Sequence, residues 1–193
     1  MRFTHRDAAV TATLTALCLA GNYATVSLPN VKIMDMVVFS AGFCCGAPVG
    51  MMVGALSWMI YGSLNPYGFA PTVWIGTMAG ESVYGLVGGL LGRSNNRDSG
   101  GRAFPSRVEL ALWGVLLTLI YDIITNVAYA YTFNVPLPVA IATGWLIPPW
   151  FGVIHAVSNL VFFSIATVPI AKAVMSLRGT PIRSARTGQT ASK

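Results

Sequence analysis

Three ionisable residues stand inside long apolar runs: Glu81, Asp122 and His155. A titratable side chain in such a run is costly to bury and implies a partner or a cavity. Each has polar company at helical spacing. Tyr84 follows Glu81 at i+3, Asn126 follows Asp122 at i+4, Tyr129 follows Asn126 at i+3, and Asn159 follows His155 at i+4. Residues three and four apart share a helix face, so three helices carry polar stripes. Two carboxylates, an imidazole and two amides can replace the water lost by a polar ligand, and the tyrosines can wall or stack on it. The alternative is a set of interhelical hydrogen bonds that only fix a bundle.

A second polar group surrounds Lys32, with Asn22, Tyr23, Asn30, Asp35, Tyr61, Asn65 and Tyr67. Lys32 can neutralise an anionic group of a ligand or pair with Asp35 at a surface. Cys18, Cys44 and Cys45 lie in apolar runs and give neither a disulfide framework nor a metal spacing. No metal and no other cofactor is expected. The chain has no P-loop and no H-E-x-x-H, and no G-x-S-x-G. Asp122 stands alone on its helix, so an enzyme with Asp122 and His155 as acid and base lacks a metal cluster. No catalytic residue is assigned.

The elements that must position these residues follow from composition. Of 193 residues, 54% are hydrophobic and only 9% charged, against about 25% charged in soluble domains. That excludes a soluble globular enzyme and a disordered chain. It points to an all-α membrane protein. Five apolar blocks stand out: 8–28, 34–64, 71–91, 108–133 and 146–175. A bilayer core takes about 20 apolar residues per helix, so the 31-residue second block is too long for one span. Its Cys44-Cys45-Gly46-Ala47-Pro48 centre predicts a turn between two helices, 34–47 and 49–64.

Basic residues fix the expected topology. They cluster at Arg2 and Arg6, then at Arg93, Arg97, Arg102 and Arg107, then at Lys172, Arg178, Arg183, Arg186 and Lys193, with Lys32 apart. Positive charge marks cytoplasmic segments. The reading is therefore a six-transmembrane-helix bundle with both termini cytoplasmic, followed by a flexible basic tail over 177–193. The net charge of +6 reflects this topology and not a nucleic-acid partner. The proline-rich 134–145 segment is expected to be a lid or re-entrant loop. Glycine pairs at four-residue spacing, from Gly42 and Gly46 to Gly88 and Gly92, predict tight helix packing.

In the first helix Ala8, Ala12, Ala16 and Ala20 form a small-residue stripe. Taken with the Gly-rich helical pair and proline-glycine loop of Asn30–Arg93, and with Asp122–Asn126 and His155–Asn159, the chain resembles a substrate-binding S component of the energy-coupling factor (ECF) transporters. The resemblance covers about residues 8–175. It implies capture of a vitamin or related micronutrient from outside the cell membrane, at the outer ends of helices four to six, capped by the loops after helices one, three and five. It implies docking of the alanine face on a transmembrane T component and toppling in the lipid bilayer, driven by two ABC ATPase subunits. Glu81, Tyr84, Asp122, Asn126, Tyr129, His155, Asn159 and Lys32 are the expected substrate contacts. The substrate itself stays open among cobalamin, thiamine, flavin, biotin and a queuosine precursor. A metal ion fits worst, since no histidine motif follows Met1. The second reading is a structural or assembly subunit of a membrane complex with no small-molecule ligand.

Overall fold

A computed structural model describes residues 3–64, 68–98 and 104–177, with side chains described to residue 95 in the middle segment and to residue 176 in the last. Among the described residues the chain is all helical, with seven helices. They are α1 (His5–Ala24), α2 (Met34–Cys45), α3 (Ala47–Leu64), α4 (Pro71–Asp98), α5 (Arg107–Phe133), α6 (Leu137–Leu146) and α7 (Phe151–Leu177). The expected loop positions Asn65 and Tyr67, the basic residues Arg2, Arg102, Arg178, Arg183, Arg186 and Lys193, and the tail after Leu177 lie outside the described residues, as does the side chain of Arg97.

Local chemistry sets the helix ends. Thr4 and Asp7 form a reciprocal capping box at the start of α1. Ser106 caps α5 by accepting a hydrogen bond from the Glu109 amide. Asn134, at φ 52°, ends α5 in the left-handed conformation that asparagine tolerates. Gly46, at φ 96°, makes the turn between α2 and α3, and Pro48 sits in the first turn of α3 where no intrahelical donor is needed. The long second apolar block is thus two helices, as the sequence predicts.

Packing contacts fix the directions. Gly88 and Gly92 of α4 rest on the backbone at Phe39 and Phe43 of α2, so these two helices run parallel. Gly85 lies against Gly50, and Gly54 against Glu81, so α3 and α4 are antiparallel. Asp35 meets His155 and Phe39 meets Phe163, which sets α7 parallel to α2. Tyr84 meets Thr118, and Gly114 meets Phe163, so α5 opposes both α4 and α7. One end of the bundle, the mouth, therefore gathers the end of α1, the starts of α2, α4 and α7, and the ends of α3 and α5. All twelve residues of α2 are buried, which makes it the central post of the fold.

Among the described residues, three helices are long and apolar enough to cross a membrane: Ala47–Leu64, Arg107–Phe133 and Phe151–Ser176. The outward faces of α5 and α7 are built from large aliphatic residues, among them Leu112, Leu116, Ile123, Val157 and Ile165. Such a surface suits hydrocarbon rather than water. The 134–145 segment differs from the expected irregular lid. It forms α6, whose ten residues are about 15 Å long and too short to span. The predicted final helix over 146–175 begins at Phe151, because Pro148 and Pro149 break the chain before it. The first helix ends at Ala24, four residues before the predicted 28, and α4 continues past 91 to Asp98.

Candidate functional site

The polar stripes of α4, α5 and α7 converge below the mouth. His155 is the hub. Its Nε2 lies 2.6 Å from Asp35 Oδ2 and its Nδ1 lies 3.0 Å from Asp122 Oδ1. An imidazole between two carboxylates satisfies both only with a proton on each nitrogen, or with one on a carboxyl. One turn deeper, the Asn159 amide donates to Asp35 Oδ2 at 2.7 Å, to Thr118 Oγ1 at 2.8 Å and towards Tyr84 Oη at 3.3 Å. Tyr84 donates to Thr118, whose hydroxyl in turn donates to the Gly114 carbonyl. The Trp58 indole donates to Glu81 Oε2 at 3.2 Å, and the Glu81 carboxyl is within hydrogen-bonding reach of Asp35. Asp35, Glu81, Tyr84, His155 and Asn159 are all fully buried.

Above this network lie two cavities separated by a strap. The larger, of about 650 Å³, opens at the mouth. The α1–α2 loop, the α3–α4 loop, the start of α4, the end of α5 and Phe151 enclose it. Its walls are largely aromatic, with Trp58, Tyr61, Phe69, Trp74, Tyr129 and Phe133; Asn22, Asn30, Lys32 and Thr77 supply polarity. The smaller, of about 200 Å³, lies beside α6 and is lined by Asp122, Asn126, Gly144 and Trp145 among others. Asn30, Lys32, Thr77 and Phe151 line both. The strap is the hydrogen bond from the Asn30 amide to the Phe151 carbonyl, 2.8 Å long.

Lys32 joins the cavities to the network. Its Nζ sits 4.1 Å from the centre of the Tyr121 ring and 5.3 Å from that of Trp58. This is cation–π geometry. Its charge also acts on Asp35 and Glu81. Lys32 is therefore turned inward, over aromatic faces towards the carboxyls, rather than forming a pair at the surface.

The eight sequence-predicted residues fall into two groups. Lys32, Asp122, Asn126 and Tyr129 line a cavity. Within this group, Asn126 spends one amide hydrogen on the Asp122 carbonyl, and Tyr129 packs on Phe133 at 4.7 Å. Glu81, Tyr84, His155 and Asn159 lie beneath the floor and line neither cavity. Sequence reasoning assigned no site role to Asp35, Trp58, Thr118 and Tyr121. For Thr118 there was a signal, since Thr118, Asp122 and Asn126 continue one stripe at four-residue spacing. Asp35 read as a surface residue because it stands at the first turn of its helix, beside Lys32.

The alanine face has a definite place as well. Ala8, Ala12, Ala16 and Ala20 all point out of the bundle, while Val10, Leu14, Cys18 and Asn22 point in. Among the described residues, no group of three or more histidine, cysteine or acidic side chains has the geometry to hold a metal ion.

Fold and site together define an all-helical protein with a buried acid–imidazole–amide network under an aromatic cavity. No family model, no curated protein and no solved structure matches this chain.

Proposed function

We propose that this chain is a membrane-embedded, solute-binding subunit of an importer of the energy-coupling factor type. It binds a micronutrient-sized molecule and does not transform it. The observation that carries the reading is the 650 Å³ aromatic cavity at the mouth, a size usual for small-molecule sites. Two of the connections that cap the site in the resemblance, those after α1 and α3, line it, together with the end of α5. A ring stacks on Trp58, Trp74 or Tyr129, and a polar head faces Lys32, Asn22 and Thr77. The six long or paired helices α1–α5 and α7 span the cell membrane, α6 lies at its outer face, and both termini are cytoplasmic. The outward alanine face of α1 docks on a T component carrying two ATPase subunits, since small residues let helices approach closely in lipid. Nucleic acid has no part in it.

Native mass spectrometry of protein purified gently from rich medium tests this. A co-purifying small molecule is expected, together with a T component and ATPases on affinity capture. Binding lost in Lys32→Ala and Trp58→Ala places the molecule in the larger cavity. A clean apo mass under conditions that retain the partner complex sinks the binding role.

The second reading is a structural or assembly subunit. The sealing of Glu81, Tyr84, His155 and Asn159 from both cavities favours it for those four residues, as packing glue. It predicts a bundle of unchanged stability with or without medium components.

A further inference from the structure

We infer that the Asp35 and Glu81 carboxyls form a proton-binding site, with one proton held between them beneath the cavity floor. The inference goes beyond solute binding and does not depend on it. Both side chains are fully buried, and neither lines either of the two cavities. Asp35 Oδ1 and Glu81 Oε1 receive no hydrogen bond from any N–H or O–H group. Yet the two carboxyls face each other within hydrogen-bonding reach. Two carboxylates attract at that range only through a proton, and a pair sharing one proton is a familiar outcome of like charges held together.

The charge balance points the same way. Asp35, Glu81 and Asp122 can carry three negative charges, while His155 and Lys32 supply at most two positive ones. An uncompensated charge on a fully buried carboxyl is very costly. One proton closes the balance. Neither of the two cavities reaches the pair. The groups that act on the pair come from every surrounding element: Cys18 from α1, Lys32 from the loop before α2, Tyr84 from α4, Tyr121 from α5, and His155 from α7, whose other nitrogen holds Asp122 of α5. From α3, Trp58 adds an uncharged donor that holds Glu81 Oε2 in place.

Lys32 makes the proton count sensitive to the cavity. Among the described residues it is the one cation that both touches the pair's field and lines the cavities. If its ammonium is removed, the pair takes a second proton to restore the balance.

Infrared difference spectroscopy of the whole protein in detergent at neutral pH, with exchange into D2O, tests the site. Wild type is expected to show one buried carboxylic-acid C=O band, and Glu81→Gln and Asp35→Asn none. Lys32→Met is expected to show a second band. If the acid variants do not fold, Trp58→Phe keeps both carboxyls and removes one donor, and the band is expected to shift. No acid band in wild type overturns the site. So does a band that persists in both Glu81→Gln and Asp35→Asn, or one that Trp58→Phe leaves in place. An unchanged single band in Lys32→Met overturns the link to the cavity.

Discussion

The two ends of the bundle solve opposite packing problems. Away from the mouth, α2, α3 and α4 touch backbone to backbone. A Cβ on Gly42 would meet the Gly85 carbonyl, one on Gly85 the Gly50 carbonyl, and one on Gly89 the backbone of Ala47. At these positions no room is left between the helices for a side chain. Towards the mouth the last close backbone approach of α3 and α4 is Gly54 on Glu81, and beyond it the large side chains of Trp58 and Trp74 stand between them. There the space is filled by a hydrogen-bonded network, then by cavities. The lesson is that a rigid glycine-packed end lets the other end carry buried charge and open volume. Small residues without side chains give dispersion contact with little entropy to lose, whereas buried polar groups are worth their cost only when the scaffold holds every partner in place.

Breaking the glycine end is expected to have the largest effect. Gly85→Leu places a side chain where the Gly50 backbone already lies, so α3 and α4 must separate. Overpacking of this kind costs about 3 kcal/mol or more, and size-exclusion chromatography should show aggregated protein. The network comes next. Asp35→Ala takes from buried His155 one of its two carboxylate partners and from the Asn159 amide its shortest hydrogen bond. Leaving one partner of a buried charge pair alone costs about 3–5 kcal/mol, to be read as a drop in thermal midpoint in detergent. Asp35→Asn should recover part of it. A smaller loss is expected for Tyr84→Phe, which removes the hydroxyl linking Asn159 to Thr118. About 1 kcal/mol is the usual figure for one such bond.

At the small end of the scale, Gly144→Ala sharpens the contrast. Its Cβ would sit 3.6 Å from Asn126 Oδ1, an ordinary contact, so stability should stay within about 0.5 kcal/mol. A Gly85→Ala variant measured beside it should lose far more. The double variant Ala12→Leu, Ala16→Leu changes an outward face of α1 and should likewise leave the thermal midpoint of the isolated protein within that margin. Capture of a T component should fail in the same variant. Retained capture would remove the docking role of that face.

Much of this was legible from spacing. The i+4 pairs Asp122–Asn126 and His155–Asn159 each lie on one inward face, as the helical period requires, and Gly46 turns the chain where the long apolar block needed a break. Asp35 was not legible as the centre of the site. Its partners His155 and Asn159 are 120 and 124 residues away in the chain, and no local pattern carries that information. Nor did the proline-rich 134–145 segment reveal a helix, because Pro136 and Pro138 fall at the start of α6, where proline is tolerated, rather than inside it.

The sequence by itself determined the class of chain, most helix positions and which residues share a face, because hydropathy and the 3.6-residue period act over a few turns. Only the tertiary structure decided which face turns inward. Apart from Asp35 and Ser40, α2 is apolar on every side, so its burial and the inward place of Asp35 come from the helices packed about it. The alanines of α1 face outward because Asp7, Thr11, Thr15, Cys18 and Asn22 take the inner side. That choice depends on what the rest of the bundle offers each face, and no single helix encodes it.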